Sequence, residues 1–138
     1  MGQLVHTLPE GELVAGVTLL AGEFYLLRYK EHDQVEVYDV IIYRLQRRLT
    51  VPNARDFTDM TSCEHNRCMY IGDPVVNRVH RLDVQGAVTQ WAVNDSSRGL
   101  SVNAAHNVLV TCPVVRKIKE FSSHGDFCLL YTSPSPRD

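Results

Sequence analysis

Apolar and polar residues alternate along most of this chain in short runs, and turn-forming residues break the runs at close intervals. A period of two sends successive side chains to opposite faces, so each run predicts a half-buried β-strand. The first group of runs covers 12–20, 23–29 after the Ala21-Gly22 turn, 34–40 and 43–51, and ends at Pro52-Asn53. The second covers 57–63, 68–72, 78–84 and, after Gln85-Gly86, 89–93. Past Asn94-Asp95-Ser96-Ser97 come 99–103, 108–112 and 117–122, closed by His124-Gly125-Asp126. One stretch, 41–49, is ambiguous. Arg44, Gln46, Arg47 and Arg48 are good helix formers. Tyr43, Leu45, Leu49 and Val51, however, fall on one face of a strand with only Arg47 out of step, and a strand is expected.

The runs repeat. Val35-Glu-Val-Tyr-Asp-Val40 is similar to Val79-His-Arg-Leu-Asp-Val84, which begins 44 residues later, and more weakly to Ile118-Lys-Glu-Phe-Ser-Ser123, a further 39 on. The preceding segments correspond too: Phe24-Tyr-Leu-Leu27, Cys68-Met-Tyr-Ile71 and Val108-Leu-Val-Thr111. A period of about 40 residues holding four short strands is the spacing of propeller blades. One four-stranded sheet cannot bury both of its faces, and stacking sheets radially covers them.

The stretches Cys68-Met-Tyr-Ile-Gly-Asp73 and Asn77-Arg-Val-His-Arg-Leu-Asp83, followed by Gly86, resemble the NHL-repeat or TolB-like group of six-bladed β-propellers. The third repeat has Arg116-Lys117-Ile118 where that pattern has Asn-Arg-Val, and the first has Asp33-Gln34-Val35. The Gly-His and Trp-Asp marks of WD-type propellers are missing, since Ala92 follows Trp91. The resemblance implies an all-β fold: a partial propeller of three consecutive four-stranded antiparallel blades, near 12–52, 57–94 and 99–126, within a domain spanning 1–126. The last eleven residues, Cys128-Leu-Leu-Tyr-Thr-Ser-Pro-Ser-Pro-Arg-Asp138, agree at every position with a translated sequencing-library adapter of the transposase type. Residues 127–138 are therefore expected to be a non-native tail, and the third blade to lack its outer strand. The outer faces of the first and third blades are expected to stay exposed.

Composition narrows the function. A formal net charge of -2 argues against a dedicated nucleic-acid binder, whose usual footprint is a basic excess. Charged residues at 22% and apolar residues at 44% describe a folded chain. No apolar run is long enough to span a bilayer, and no signal-peptide pattern is visible, so the cytoplasm is the expected compartment. Four cysteines are too few for a disulfide-built scaffold of this length and are expected to be reduced thiols.

Candidate chemistry is sparse. Cys63, His65 and Cys68 place two thiols and an imidazole within six positions, but structural zinc takes four such ligands and no fourth is marked. Turn residues are the expected reading, with no metal and no cofactor. Asp33, Asp39, Asp73 and Asp83 recur at strand ends, where a carboxylate caps a turn, and no nucleophile elbow, zincin or phosphate-loop motif is present. No catalytic residue is expected. Arg44, Arg47 and Arg48, and Arg116, Lys117 and Lys119, form two basic spots that are candidates for RNA or partner contact. Asn94-Asp95-Ser96 is a glycosylation sequon, expected to be inert without a secretory signal.

The function these observations lead to is a protein-binding platform on a propeller face. A hydrolase or lactonase-type propeller and an RNA-binding NHL propeller are the alternatives. The resemblance also implies that such propellers often end tripartite-motif ubiquitin ligases, but RING and B-box cysteines do not occur in these residues, so ligase activity is not assigned to the chain.

Overall fold

The computed structural model describes residues 14–28, 33–57 and 59–132. The described residues form three four-stranded antiparallel sheets in sequence order. Strands β1 (Val14–Leu20), β2 (Glu23–Arg28), β3 (Gln34–Asp39) and β4 (Leu45–Thr50) build sheet 1. Sheet 2 consists of β5 (Asp59–Cys63), β6 (Cys68–Asp73), β7 (Arg78–Asp83) and β8 (Val88–Ala92). Sheet 3 consists of β9 (Leu100–Val102), β10 (Val108–Cys112), β11 (Lys117–Phe121) and β12 (Phe127–Thr132), with a single 3-10 turn at Pro113–Val115. The expected strand start at 12–13, the strand end at 29 and the tail beyond 132 lie outside the described residues.

Sheet 2 is the filling of a sandwich. Tyr25, Leu27, Val35 and Val37 of sheet 1 meet Met60, Met69, Ile71 and Leu82 of sheet 2 in one buried cluster. Tyr70, Val79 and Trp91, on the opposite face of sheet 2, meet Val108, Val110 and Phe121 of sheet 3 in a second. Alternation along β6 explains both: Met69 and Ile71 point one way and Cys68 and Tyr70 the other, and all are buried. A fully buried side chain of this size contributes about 1.5–3 kcal/mol, so the two clusters are the main source of stability.

The ambiguous stretch is a turn followed by a strand. Arg47 is out of step because β3 and β4 shift register between Val37 and Tyr38, which face Arg47 and Leu45 and leave Gln46 as the extra residue of a bulge.

Two expectations need correction. Sheet 3 does have an outer strand, β12, within the residues set aside as tail. Pairing with β11 forms it: all six of its residues are exposed, and Phe127 against Phe121 and the Tyr131 hydroxyl on Glu120 add side-chain contacts to the backbone ladder. The hairpin is closed by Ser122, whose Oγ accepts the Asp126 amide, and by Gly125 at φ +91°. The outer face of sheet 1 is open only along β1: Leu26, Arg28, Glu36 and Tyr38, which alternate with the core residues of β2 and β3, are buried, whereas Val17 and Leu19 on the same face are more than half exposed. Among the described residues an outward apolar set stays exposed on sheet 3, with Ile118, Leu129 and Tyr131, and on the β1 edge of sheet 1, with Val17 and Leu19.

Candidate functional site

The strand order gives the stack two distinct ends. Asp59 pairs with Gly72, so the connector entering β5 and the turn between β6 and β7 lie at one end. Cys63 pairs with Cys68, so the turn between β5 and β6 lies at the other. Hydrogen bonds from the Ala21 amide to Glu64 and from the Asn66 side chain to the His106 carbonyl align that second end across the sheets.

At the connector end the sequence repeats in a way our reading of the strands passed over. Pro74-Val-Val-Asn77 and Pro113-Val-Val-Arg116 are the turns between the second and third strands of sheets 2 and 3. Each closes on a residue in the left-handed region, Asn77 at φ +53° and Arg116 at +56°. Proline fixes the entry and removes a donor that no strand would use, and the two valines are turned outward. Val75 is 60% and Val114 79% exposed. The offset of 39 residues between the two turns was the signal available for finding them.

Two pockets flank the β6–β7 turn. One, of about 420 Å³, is lined by Asn53, Arg55, Val76, Arg78 and Gln90. The other, of about 390 Å³, is lined by Pro74, Ser96, Ser97 and Arg98. Among the described residues no carboxylate pairs with Arg55, Arg78 or Arg98.

The connectors beside these pockets are fastened by polar side chains of sheets 2 and 3, at places that sheet 1 fills with an ion pair. Glu36, His80 and Lys119 hold equivalent places on the third strands, opposite Leu26, Ile71 and Val110. Two residues along from those partners stand Arg28, Asp73 and Cys112. In sheet 2, Asp73 accepts the Arg55 amide at 2.8 Å, the Asp56 amide at 3.0 Å and His80 Nε2 at 2.9 Å. In sheet 3, Lys119 donates to the Val93 carbonyl at 2.7 Å and lies 2.6 Å from Asp95. Burial pushes the Cys112 thiol up, against the pull of Lys119. In sheet 1, Arg28 donates to Glu36 at 2.7 Å. The Asp73–His80 pair has no exposed side-chain surface and its carboxylate already holds two backbone amides, so it acts as a clasp.

The six basic residues singled out in the sequence do not form one site. Arg47 is paired with Glu23, Arg48 with Glu36 and Lys119 with Asp95. Arg44, Arg47 and Arg48 belong to the end and edge of sheet 1, and Arg116 and Lys117 to the connector end of sheet 3. Cys63 and Cys68 are directly opposite and both are free buried thiols, while His65 is exposed and stacks on His106 at 3.8 Å. Among the described residues no group of three His, Cys, Asp or Glu could hold a metal ion. The strand-end carboxylates Asp39 and Asp83 cap turns: Asp39 accepts the amides of Ile41 and Ile42, and Asp83 that of Gln85.

Three stacked four-stranded antiparallel sheets define part of a β-propeller. The chain is similar in fold to the structure of a streptogramin B lyase, with a TM-score of 0.74 at 14% identity over 88% of this chain and 41% of that one. It is similar to virginiamycin B lyase from Staphylococcus aureus, with a TM-score of 0.73 at 11% identity over 88% and 42%. Hydrazine synthase from Kuenenia stuttgartiensis matches with a TM-score of 0.73 at 14% identity over 96% and 40%. The chain thus spans about two fifths of the length of these structures. No protein-family model and no curated protein sequence matches it.

Proposed function

We propose that this chain is a protein-binding platform whose contact surface is the connector end, on a propeller of the NHL or TolB-like kind. The observation that supports this most is the repeated Pro-Val-Val turn, which places Val75 and Val114 in solvent and, in sheet 2, lines a pocket with Arg55 and Arg78, which have no carboxylate partner among the described residues. Exposed apolar groups rimmed by Arg are the usual composition of protein contact surfaces. The finer family assignment rests on the Cys68-Met-Tyr-Ile-Gly-Asp73 and Asn77-Arg-Val-His-Arg-Leu-Asp83 stretches and on Gly86. The lyases matched in fold share at most 14% of their residues with this chain, so no activity is carried over from them. RNA is the weaker reading, because neither pocket is lined by an aromatic side chain on which a base could stack.

The test is selection from a displayed random-peptide library against the folded chain and against a Val75→Ser, Val114→Ser double variant. Peptides enriched on the native chain are expected to lose at least tenfold in affinity for the double variant. Peptides that bind both proteins equally would overturn the assignment of this face, and so would a library that yields no binders.

A further inference from the structure

The pocket between the first connector and the β6–β7 turn has a composition that selects its ligand. Its lining is two guanidiniums (Arg55, Arg78), two carboxamides (Asn53, Gln90) and one valine, with no carboxylate. A guanidinium offers N–H donors in a fork that fits a carboxylate with two parallel hydrogen bonds, and a carboxamide adds further N–H donors. Both arginines hang from a fixed backbone. The Arg55 amide is held by the buried Asp73 carboxylate, and Arg78 opens β7, where it pairs with both Asp73 and Ala92. Val76 also lines the pocket, and its neighbour Val75 projects into solvent.

We infer that this pocket binds the side-chain carboxylates of an acidic peptide segment, one with apolar residues beside its Asp or Glu that rest on the Pro-Val-Val turns. This rests on the platform reading and names the chemistry of the partner. Charge complementarity is the argument: two cations converge on one cavity with no carboxylate in its lining, on a chain whose overall charge is negative.

The experiment is fluorescence anisotropy on the full chain at low ionic strength, with labelled hexaglutamate, a neutral peptide of alternating Ser and Leu, and oligouridylate as probes. Hexaglutamate is expected to bind, and Arg55→Gln or Arg78→Gln to weaken it about tenfold or more, the scale of losing one charge-assisted contact. Arg44→Gln, an exposed cation at the opposite end, is expected to change binding less than about twofold. Arg55→Lys and Arg78→Lys, which keep the charge, are expected to recover part of the loss, and thermal melts show whether each variant is folded. Equal losses from Arg44→Gln and Arg78→Gln, or no hexaglutamate binding, overturn the inference. If the neutral peptide binds better and depends on Val75, the carboxylate chemistry fails while the platform stands. Tighter binding of oligouridylate that requires both pocket arginines overturns both.

Discussion

The two ends of the stacked sheets use their polar side chains differently. At the end holding the β3–β4, β7–β8, β9–β10 and β11–β12 turns, side chains bind the turn's own backbone. Asp39, Asp83, Asn103 and Ser122 each accept at least one amide within their turn. Gly125 lies on the face of Trp91, tying the last of these turns to sheet 2. At the connector end Asp73 and Lys119 fasten the chain and Thr111 and Asp59 accept the Gly99 and Leu100 amides, while Arg55, Arg78 and Arg98 have no carboxylate partner among the described residues. Exposed apolar residues occur at both ends, but Ile41 and Ile42 have no counterparts in the matching turns of sheets 2 and 3, whereas the paired valines recur. One end completes the fold, and the other offers groups to something outside it.

If that contrast is right, substitutions at the first end cost stability and exposed ones at the second do not. The largest effect is expected for Gly125→Ala. A Cβ there meets Trp91 Cδ2 at 2.7 Å and the backbone has φ +91°. Overpacking and a strained φ together should cost about 2–4 kcal/mol in urea denaturation. A change near zero would mean that the Ser122–Asp126 turn is not packed on Trp91.

Asp73→Asn probes the clasp beneath the connector end. Weakening an acceptor that serves two amides and His80 should cost about 1–3 kcal/mol by the same assay. An unaltered midpoint would show that the connector is held by other contacts.

The sheet 1 clasp should appear in acid. Burial pushes the Glu36 carboxyl up, but hydrogen bonds from Arg28 and Tyr38 and the charges of Arg28 and Arg48 outweigh it, and the group lies below its ordinary 4.5. A folded value below the unfolded one adds stability that is complete above the unfolded value and is lost as pH falls through the folded value. Stability should therefore decline as pH drops below 4.5, and Glu36→Gln should flatten that decline. Parallel acid limbs in the two proteins would contradict the assignment.

The smallest effect is expected for Val75→Ser with Val114→Ser. Both side chains are in solvent, so stability should stay within about 0.5 kcal/mol of the native chain. A larger loss would mean that these turns pack in the fold, and the contrast between the ends would weaken.

The strands were legible because the period of two holds wherever one face is buried. The repeat at Val35, Val79 and Ile118 carried the sheet count, because those residues have equivalent places on β3, β7 and β11. Register was less legible. The bulge between β3 and β4 made Arg47 look like a break in pattern, and β12 was missed because none of its residues enters the core and pairing with β11 forms it, helped by Phe127 on Phe121 and Tyr131 on Glu120. The clasps were hidden because Arg28–Glu36, Asp73–His80 and Lys119, which holds the Val93 carbonyl and Asp95, fall at corresponding places but share no chemistry. Basic residues close in sequence gave a poor guide to the site. Arg47, Arg48 and Lys119 are paired, while the pocket is made by Arg55 and Arg78, from a connector and a strand start.

The most direct test of the connector end as the binding face is amide hydrogen exchange on the native chain, with and without a saturating library-selected peptide. Protection is expected at Asn53 to Arg55, at Val75 to Arg78 and at Val114 to Lys117, with exchange at Asn103 to Asn107 and Ser122 to Asp126 unchanged. Protection confined to those last two turns, at the end whose side chains cap their own backbone, would contradict the account.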